Sequence, residues 1–163
     1  MSSSPRIRAL SAALFSAGIA GAGAGCVRFH VATPLPDSAF RASIDLSRFP
    51  TAGRAGERLE GQVTVANRGD RSWPAEAWNA VGPVVNLACH WRALDDTVLV
   101  NDGLRTPLPA DLAPDRTVAL RASVLLPEAP GRYLLEFDLV LEGVSWFAAR
   151  GSPTARVAVD VSK

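Results

Sequence analysis

The chain has 163 residues, of which 48% are hydrophobic and 20% charged, and this balance excludes a disordered or collagen-like chain. Its 17 Lys and Arg residues against 16 Asp and Glu residues give a net charge of +1, far from the basic surface that binds nucleic acid. We therefore expect no nucleic-acid partner. The length predicts one folded domain.

Residues 1–25 have the layout of an export signal. Arg6 and Arg8 precede an uncharged run from Ala9 to Gly25, and the segment contains no acidic residue. A basic start, an apolar centre and a small-residue end are typical of a secretory signal. The run is diluted by Gly and Ser, whereas a membrane-spanning helix needs about 20 predominantly apolar residues. A signal is the first interpretation, a transmembrane anchor the second, and an apolar extension of a cytosolic protein the third.

Cys26 follows this segment directly and leaves two kinds of processing open. The small residues 22–24 fit the pattern for ordinary signal cleavage. Residues 23–26, Gly-Ala-Gly-Cys, resemble a bacterial lipobox, in which Cys26 would become the acylated N-terminus, although lipoboxes usually carry Leu where this chain has Gly23. The sequence predicts an extracytoplasmic protein, either secreted or held at the membrane by a lipid on Cys26.

The remaining cysteine and the two histidines do not indicate a metal site. Cys89 lies inside an apolar alternation, which predicts a small buried hydrophobic side chain. His30 and His90 have no partner at the spacing that zinc sites use. We expect neither a metal nor a cofactor.

Apolar residues recur at every second position in most of the chain after residues 26–38, which are predicted to be a linker. This period is typical of half-buried β-strands, and Gly, Pro and Asn residues mark turns between the stretches. The alternating stretches are 40–46, 59–65, 85–91, 118–126, 133–141 and 155–161. Residues 39–163 are therefore predicted to form an all-β fold, an immunoglobulin-like antiparallel β-sandwich of about 7 to 9 strands.

Two aromatic residues are predicted to be structural. Trp91 is in phase with the apolar Val85 and Leu87, which indicates a core position. Tyr133 follows Pro130 and Gly131 just before the most apolar stretch, where immunoglobulin-like sandwiches often place a tyrosine that bonds to nearby backbone.

The other tryptophans are candidate contact residues. Trp73 precedes Pro74 just after a turn, and Trp78 lies in a loop off any strand phase. The two are therefore either exposed rings on which sugars stack or loop residues that cover one end of the sandwich. Trp146 and Phe147 are adjacent, so their side chains leave a strand on opposite faces and at most one belongs to the core. The other enlarges an apolar surface, which favours a partner contact.

Polar residues near these aromatics allow two interpretations. In the structural one, Asp102 starts a turn, Arg105 pairs with an acid and Glu142 starts a hairpin turn. In the functional one, Asp102, Arg105 and the outward-pointing His90 supply hydrogen bonds beside Trp73 in a sugar or peptide groove.

Taken together, these segments carry a resemblance. Residues 67–74, 89–91, 101–109 and 142–147 resemble, in order and spacing, the immunoglobulin-like accessory modules of bacterial envelope proteins and of some glycosyltransferases. They are more distantly similar to the four-tryptophan domain of a selective-autophagy receptor. The resemblance covers about residues 56–150 and implies a β-sandwich for binding or assembly, with no catalytic residues to carry over. It departs from those modules because we expect no attached enzyme domain.

Catalysis is not predicted. The chain contains no Gly-x-Ser-x-Gly, His-Glu-x-x-His or glycine-rich phosphate motif, and Asp95-Asp96 is most simply a hydrated loop. A calcium ion in that loop and a hydrolase that uses His90 and Asp102 are the weakest hypotheses.

We expect a non-catalytic binding module at a bacterial cell envelope. The first hypothesis is recognition of envelope glycan through Trp73, Trp78 and the polar groups His90, Asp102 and Arg105. The alternative is a protein–protein assembly module that docks an envelope protein through an edge strand or through the Trp146/Phe147 patch. In either case the membrane is contacted only through a lipid on Cys26.

Overall fold

The computed structural model describes residues 34–75 and 82–163, so Cys26, Trp78 and the segment predicted as a signal lie outside the described residues. Among the described residues, no helix has the length and apolar character needed to cross a membrane. Short 3-10 helices cover Asp37–Ala39 and Ala148–Arg150. The strands are β1 (Ala42–Asp45), β2 (Ala52–Arg54), β3 (Arg58–Asn67), β4 (Val85–Arg92), β5 (Val98–Val100), β6 (Thr106–Pro107), β7 (Thr117–Leu125), β8 (Gly131–Leu141), β9 (Ser145–Trp146) and β10 (Ala155–Ser162).

The strands form two sheets. The three-stranded sheet has the order β1-β3-β7, and the seven-stranded sheet has the order β2-β10-β8-β4-β5, with β6 paired to β4 and β9 paired to β8. In the described ranges all pairs are antiparallel except β10 with β2. The immunoglobulin-like β-sandwich is confirmed, and its six long strands coincide with the six alternating stretches. Four further strands, β2, β5, β6 and β9, have only two or three residues, too few to show an alternation.

The alternating apolar residues of both sheets meet in one core. Val63 and Val65 of β3 face the same cluster as Leu135 and Phe137 of β8. The ring of Phe137 also receives Phe49 edge-on, at 5.1 Å between ring centres. Each such side chain contributes about 1.5–3 kcal/mol when fully buried, so this shared interior stabilises the pairing of the sheets.

Three structural predictions are confirmed. Trp91 is buried, and its indole N–H donates a hydrogen bond to the carbonyl of Leu125, 2.9 Å away, which joins the two sheets. The Tyr133 hydroxyl donates to the carbonyl of Ala129 at 2.8 Å. Cys89 is buried, and burial raises the pKa of its thiol to about 11, so the thiol stays protonated at neutral pH.

Of the two alternatives for Trp73, the exposed ring on which the glycan hypothesis relied is wrong. Its side chain is 0% exposed, and its indole N–H donates to the carbonyl of Ala39 at 2.8 Å. Its backbone exchanges two 3.0 Å hydrogen bonds with Leu112, a bridge that turns the ring inward. The ring therefore closes one end of the core. This is the other alternative given by the sequence, a loop residue that covers one end of the sandwich.

Phe147 also belongs to the core. It is fully buried and meets Trp73 edge-on at 5.0 Å and Phe40 at 4.9 Å between ring centres. As predicted, only one member of the Trp146/Phe147 pair is in the core, since Trp146 stays half-buried. A partner contact through Phe147 is excluded because the side chain has no exposed surface.

The described end of the predicted linker packs on the sandwich. Leu35 lies against the core cluster. The Asp37 carboxylate accepts a hydrogen bond from Arg150 at 2.6 Å, and the Ser38 hydroxyl donates to Asp70 at 3.1 Å. Residues 34–38 are thus anchored at the end of the sandwich that Trp73 closes.

Candidate functional site

One edge of the sandwich collects most of the large exposed hydrophobic side chains. At this edge β5 is the last strand of the seven-stranded sheet and β7 is the last strand of the three-stranded sheet. In the described ranges two lie elsewhere, Leu94 in the turn between β4 and β5 and Val144 in the turn between β8 and β9. Those on the edge are Val98, Leu99, Val100, Leu104 and Leu125.

A groove of about 430 Å³ runs between the two sheets at this edge, and we call it the edge groove. Its lining is almost entirely apolar, with Asp102 and Glu128 as the acidic members. Cys89, Trp91 and Leu126 are its buried residues, and the more exposed residues that line it are Leu99, Val100, Leu104, Leu125 and Pro127. A mostly apolar groove with few polar groups is the usual form of a binding site.

The local sequence explains how the groove is held open. The pairing of β4 with β5 contains a β-bulge at Trp91 and Arg92, and a bulge bends and twists a strand. Beyond β5, the Gly103 N–H donates to the carbonyl of Cys89 at 2.9 Å. A Cβ atom on Gly103 would lie 2.5 Å from the Cys89 sulfur, so only glycine allows the chain to approach β4 this closely.

Ion pairs anchor the turn between β4 and β5 from the outer face of the sheet. Asp96, with a φ of 72°, accepts a hydrogen bond from Arg156 of β10 at 2.9 Å and lies 3.7 Å from Arg92. The Asp95 carboxylate accepts the Thr97 N–H at 3.0 Å. One wall of the groove is therefore tied to the body of the sheet.

A second cluster forms around Trp146 on the outer face of the seven-stranded sheet. The Arg105 guanidinium lies over the indole ring, 5.1 Å from its centre, and the His90 ring lies 4.5 Å from it. Arg105 also contacts Glu142 at 2.8 Å and Asp102 at 2.5 Å. A shallow hollow of about 320 Å³ adjoins this cluster.

This cluster partly matches the functional interpretation. The structure brings Asp102, Arg105 and His90 together as expected, but beside Trp146, because Trp73 lies inside the core. The contacts are also those of the structural interpretation, since Arg105 pairs with acids and Glu142 starts the hairpin turn between β8 and β9.

His90 leaves β4 on the outer face, as its phase predicted, but Trp146 covers it. Its Nδ1 lies 2.6 Å from the carbonyl of Asn101, and because a carbonyl only accepts, Nδ1 carries the hydrogen. Burial lowers the pKa of His90 and outweighs the raising effect of the Asn101 hydrogen bond and of Glu136. The ring is therefore neutral at physiological pH.

Two buried carboxylates on β8 share this face. Burial raises the pKa of Glu136, but hydrogen bonds from Thr154, Arg92 and Arg156 outweigh it and hold the pKa below its usual value. Asp138 differs, because burial raises its pKa to about 6 despite N–H groups of Leu139 and Ala148 that donate to it.

Sequence reasoning did not single out either carboxylate, although charged residues in the most apolar strand were a signal. Both carboxylates are occupied by hydrogen bonds from other residues of this chain, so their role is structural. Within 34–75 and 82–163, no three His, Cys, Asp or Glu side chains meet in a group that could hold a metal ion.

Comparison with known proteins yields only distant structural likenesses. No protein-family model and no curated protein matches the chain. The chain is similar to the CARDB domain of PF1109 from Pyrococcus furiosus, whose crystal structure is in complex with di-metal ions. The two share 16% identity over 75% of this chain and 86% of that one, with a TM-score of 0.44. The sporulation control protein Spo0M of Bacillus subtilis shares 14% identity over 76% of this chain and 49% of that one, with a TM-score of 0.42. A PapD-like domain of human CEP192 shares 18% identity over 82% of this chain and 93% of that one, with a TM-score of 0.35.

Proposed function

We propose that this chain is a non-catalytic binding module that docks an apolar segment of another protein in the edge groove. The carrying observation is that five of the seven large exposed hydrophobic residues of the described chain belong to the edge strand β5 or line the groove beside it. Scattered exposed apolar residues need no explanation, but a contiguous patch beside a groove is typical of an interaction site. Export to the cell envelope remains a prediction that rests on residues 1–26.

The described residues support protein docking more than glycan recognition. A sugar ring stacks on an open aromatic face, and Trp73, the main residue expected to offer one, has no exposed surface. Trp146 is half-buried, and its ring already packs against Arg105 and His90. To offer an open face, Trp146 would have to leave these two side chains. The edge groove can accept apolar side chains without any rearrangement.

The effect of single residues in the groove can be estimated. Leu125 is 53% exposed, so covering it with a partner contributes roughly 1 kcal/mol, about half of full burial. Leu125→Ala should then weaken binding about fivefold. Leu125→Glu should weaken it further, because docking would also remove a charge from water.

A pair of variants tests the location of the site. Val144 is 54% exposed and lies outside the edge groove, so Val144→Glu is a matched control for Leu125→Glu. The full chain and both variants, each checked for native circular dichroism, are cross-linked to an extract of the source cells, and bound proteins and bound glycans are quantified separately by mass spectrometry.

We expect a protein that is captured by the parent chain and by Val144→Glu and is lost with Leu125→Glu. Loss with Val144→Glu alone would move the site to the neighbourhood of Trp146 and refute the proposal. Capture of glycan without protein would refute it in favour of glycan recognition.

A further inference from the structure

Resting on that proposed function, we infer that the docked segment is an extended strand that adds to the seven-stranded sheet beside β5 and carries a basic residue next to Glu128. Three observations support this inference: the direction of the β5 backbone groups, the position of the groove and the charge around it.

The backbone of β5 offers a pairing edge. The Ala93 N–H donates to the carbonyl of Thr97 at 2.9 Å, so Thr97 directs its carbonyl towards β4. Successive residues of an antiparallel strand alternate in this direction, which turns the N–H and the carbonyl of Val98 to the opposite side. That side is the end of the sheet, where the order of described strands stops. An incoming strand would find these groups ready for pairing.

The position of the groove suits a strand better than a compact ligand. The edge groove continues the interior of the sandwich outward, between β5 and the end of β7. Side chains of an added strand alternate between its two faces, so every second side chain would enter the groove and cover Leu125. The segment should therefore have apolar residues with a period of two.

The charge at the groove favours a basic segment. Glu128 lines the groove, is exposed and forms no ion pair within the described ranges. Asp102, the other acid of the lining, is paired with Arg105. The uncompensated charge of the lining is thus negative, and a Lys or Arg beside the apolar residues would complement it.

Acidic residues beyond both ends of β5 disfavour one antiparallel pairing of two copies of this chain. An antiparallel pairing of two copies centred on Leu99 would bring Asp96 of one copy opposite Asp102 of the other. Like charges directly opposite one another destabilise paired strands. A segment of different sequence, apolar and basic, fits the edge better.

A peptide selection tests the inference. Random peptides of about ten residues, the upper length of an ordinary strand, are selected on the full chain. They are counter-selected on Leu125→Glu, with Val144→Glu as the matched control. We expect the enriched sequences to alternate apolar and polar residues and to carry Lys or Arg at a flank. Glu128→Gln should remove the basic preference and leave the alternation.

The outcomes separate the two levels of the proposal. If no peptide depends on Leu125, the proposed function fails. If peptides depend on Leu125 but show a helical period or an acidic flank, the proposed function stands and the strand inference is overturned.

Backbone pairing is tested with an enriched peptide. Proline is tolerated on edge strands where its missing N–H faces solvent, so Val98→Pro should fold and lose the outward donor, whereas Val98→Thr keeps both the donor and the branched shape. We expect Val98→Pro to weaken the peptide about two- to tenfold more than Val98→Thr. In the unsubstituted chain, amide exchange at Val98 should slow when the peptide binds. Equal affinities of the two variants, or unchanged exchange, would overturn strand addition.

Discussion

Trp73 gives the sharpest test of the structure, because the sequence left both an exposed and a covering position open for its ring and the structure selects the covering one. In the structure the ring closes the core beside Phe147, and its N–H satisfies the carbonyl of Ala39. Trp73→Ala would remove the ring and leave that carbonyl unpaired. A buried aromatic residue replaced by alanine costs about 3–5 kcal/mol, a large part of the 5–15 kcal/mol of a typical domain.

A second substitution divides this cost. Trp73→Phe keeps an aromatic ring in the core but removes the donor to Ala39, so it should cost about 1–3 kcal/mol, the usual cost of an unsatisfied buried polar group. Trp146→Ala is the control for loss of a tryptophan that is only half-buried, and it should cost less than Trp73→Ala.

Urea unfolding followed by far-ultraviolet circular dichroism measures these differences. With a slope of about 2 kcal/mol per molar urea, Trp73→Ala should lower the midpoint by about 2 M. The burial of the ring would be refuted if Trp73→Ala changed the free energy of unfolding by less than about 1 kcal/mol, as expected of an exposed stacking residue.

Three further predictions concern buried polar groups. The amide nitrogen of Asn67 donates to two backbone carbonyls at 2.8 Å, so Asn67→Asp should cost about 3 kcal/mol in urea unfolding, and an unchanged midpoint would contradict this account. Since burial raises the pKa of Asp138 to about 6, its contribution to stability is present below about pH 3.8 and is lost as the pH rises through about 6. Between about pH 4 and pH 7 the free energy of unfolding of Asp138→Asn should therefore rise by about 2 kcal/mol relative to the parent chain, and parallel pH profiles would exclude the raised pKa. Because the Cys89 thiol is buried with a pKa of about 11, iodoacetamide should leave it unmodified in native Cys26→Ser at about pH 8 and alkylate it in urea, as intact mass would show.

The long strands could be predicted because period two is a local property. Each of the six alternating stretches buries one face against the same core. The phase of the apolar residues, which also placed Trp91 inside, was therefore sufficient to predict these strands and their buried faces. The short strand β5 could not be found in this way. Its three consecutive apolar residues, with an acid two positions away on either side, were nevertheless a signal, because exposed apolar runs are usually avoided unless they serve a function.

The site could be predicted only in part, because it depends on contacts between distant segments. The phase of β4 correctly placed His90 on the outer face, but Trp146, more than fifty residues later, folds back over it. Trp73 lacked a strand phase, and its inward direction comes from a bridge to Leu112 that no local pattern encodes. The edge groove likewise is lined by β5 of one sheet and the end of β7 of the other, so it exists only once the two sheets are assembled.

The anchoring of the β4–β5 turn has a consequence for the kinetics of docking. Because Asp96 ties this turn to Arg156 and Gly103 bonds to Cys89, the wall formed by β5 is ordered before any partner arrives. A partner would lose its own conformational entropy, but it would not have to order the receptor. Association would then proceed without a slow rearrangement, and differences in affinity among partner sequences would lie mainly in how fast each one leaves.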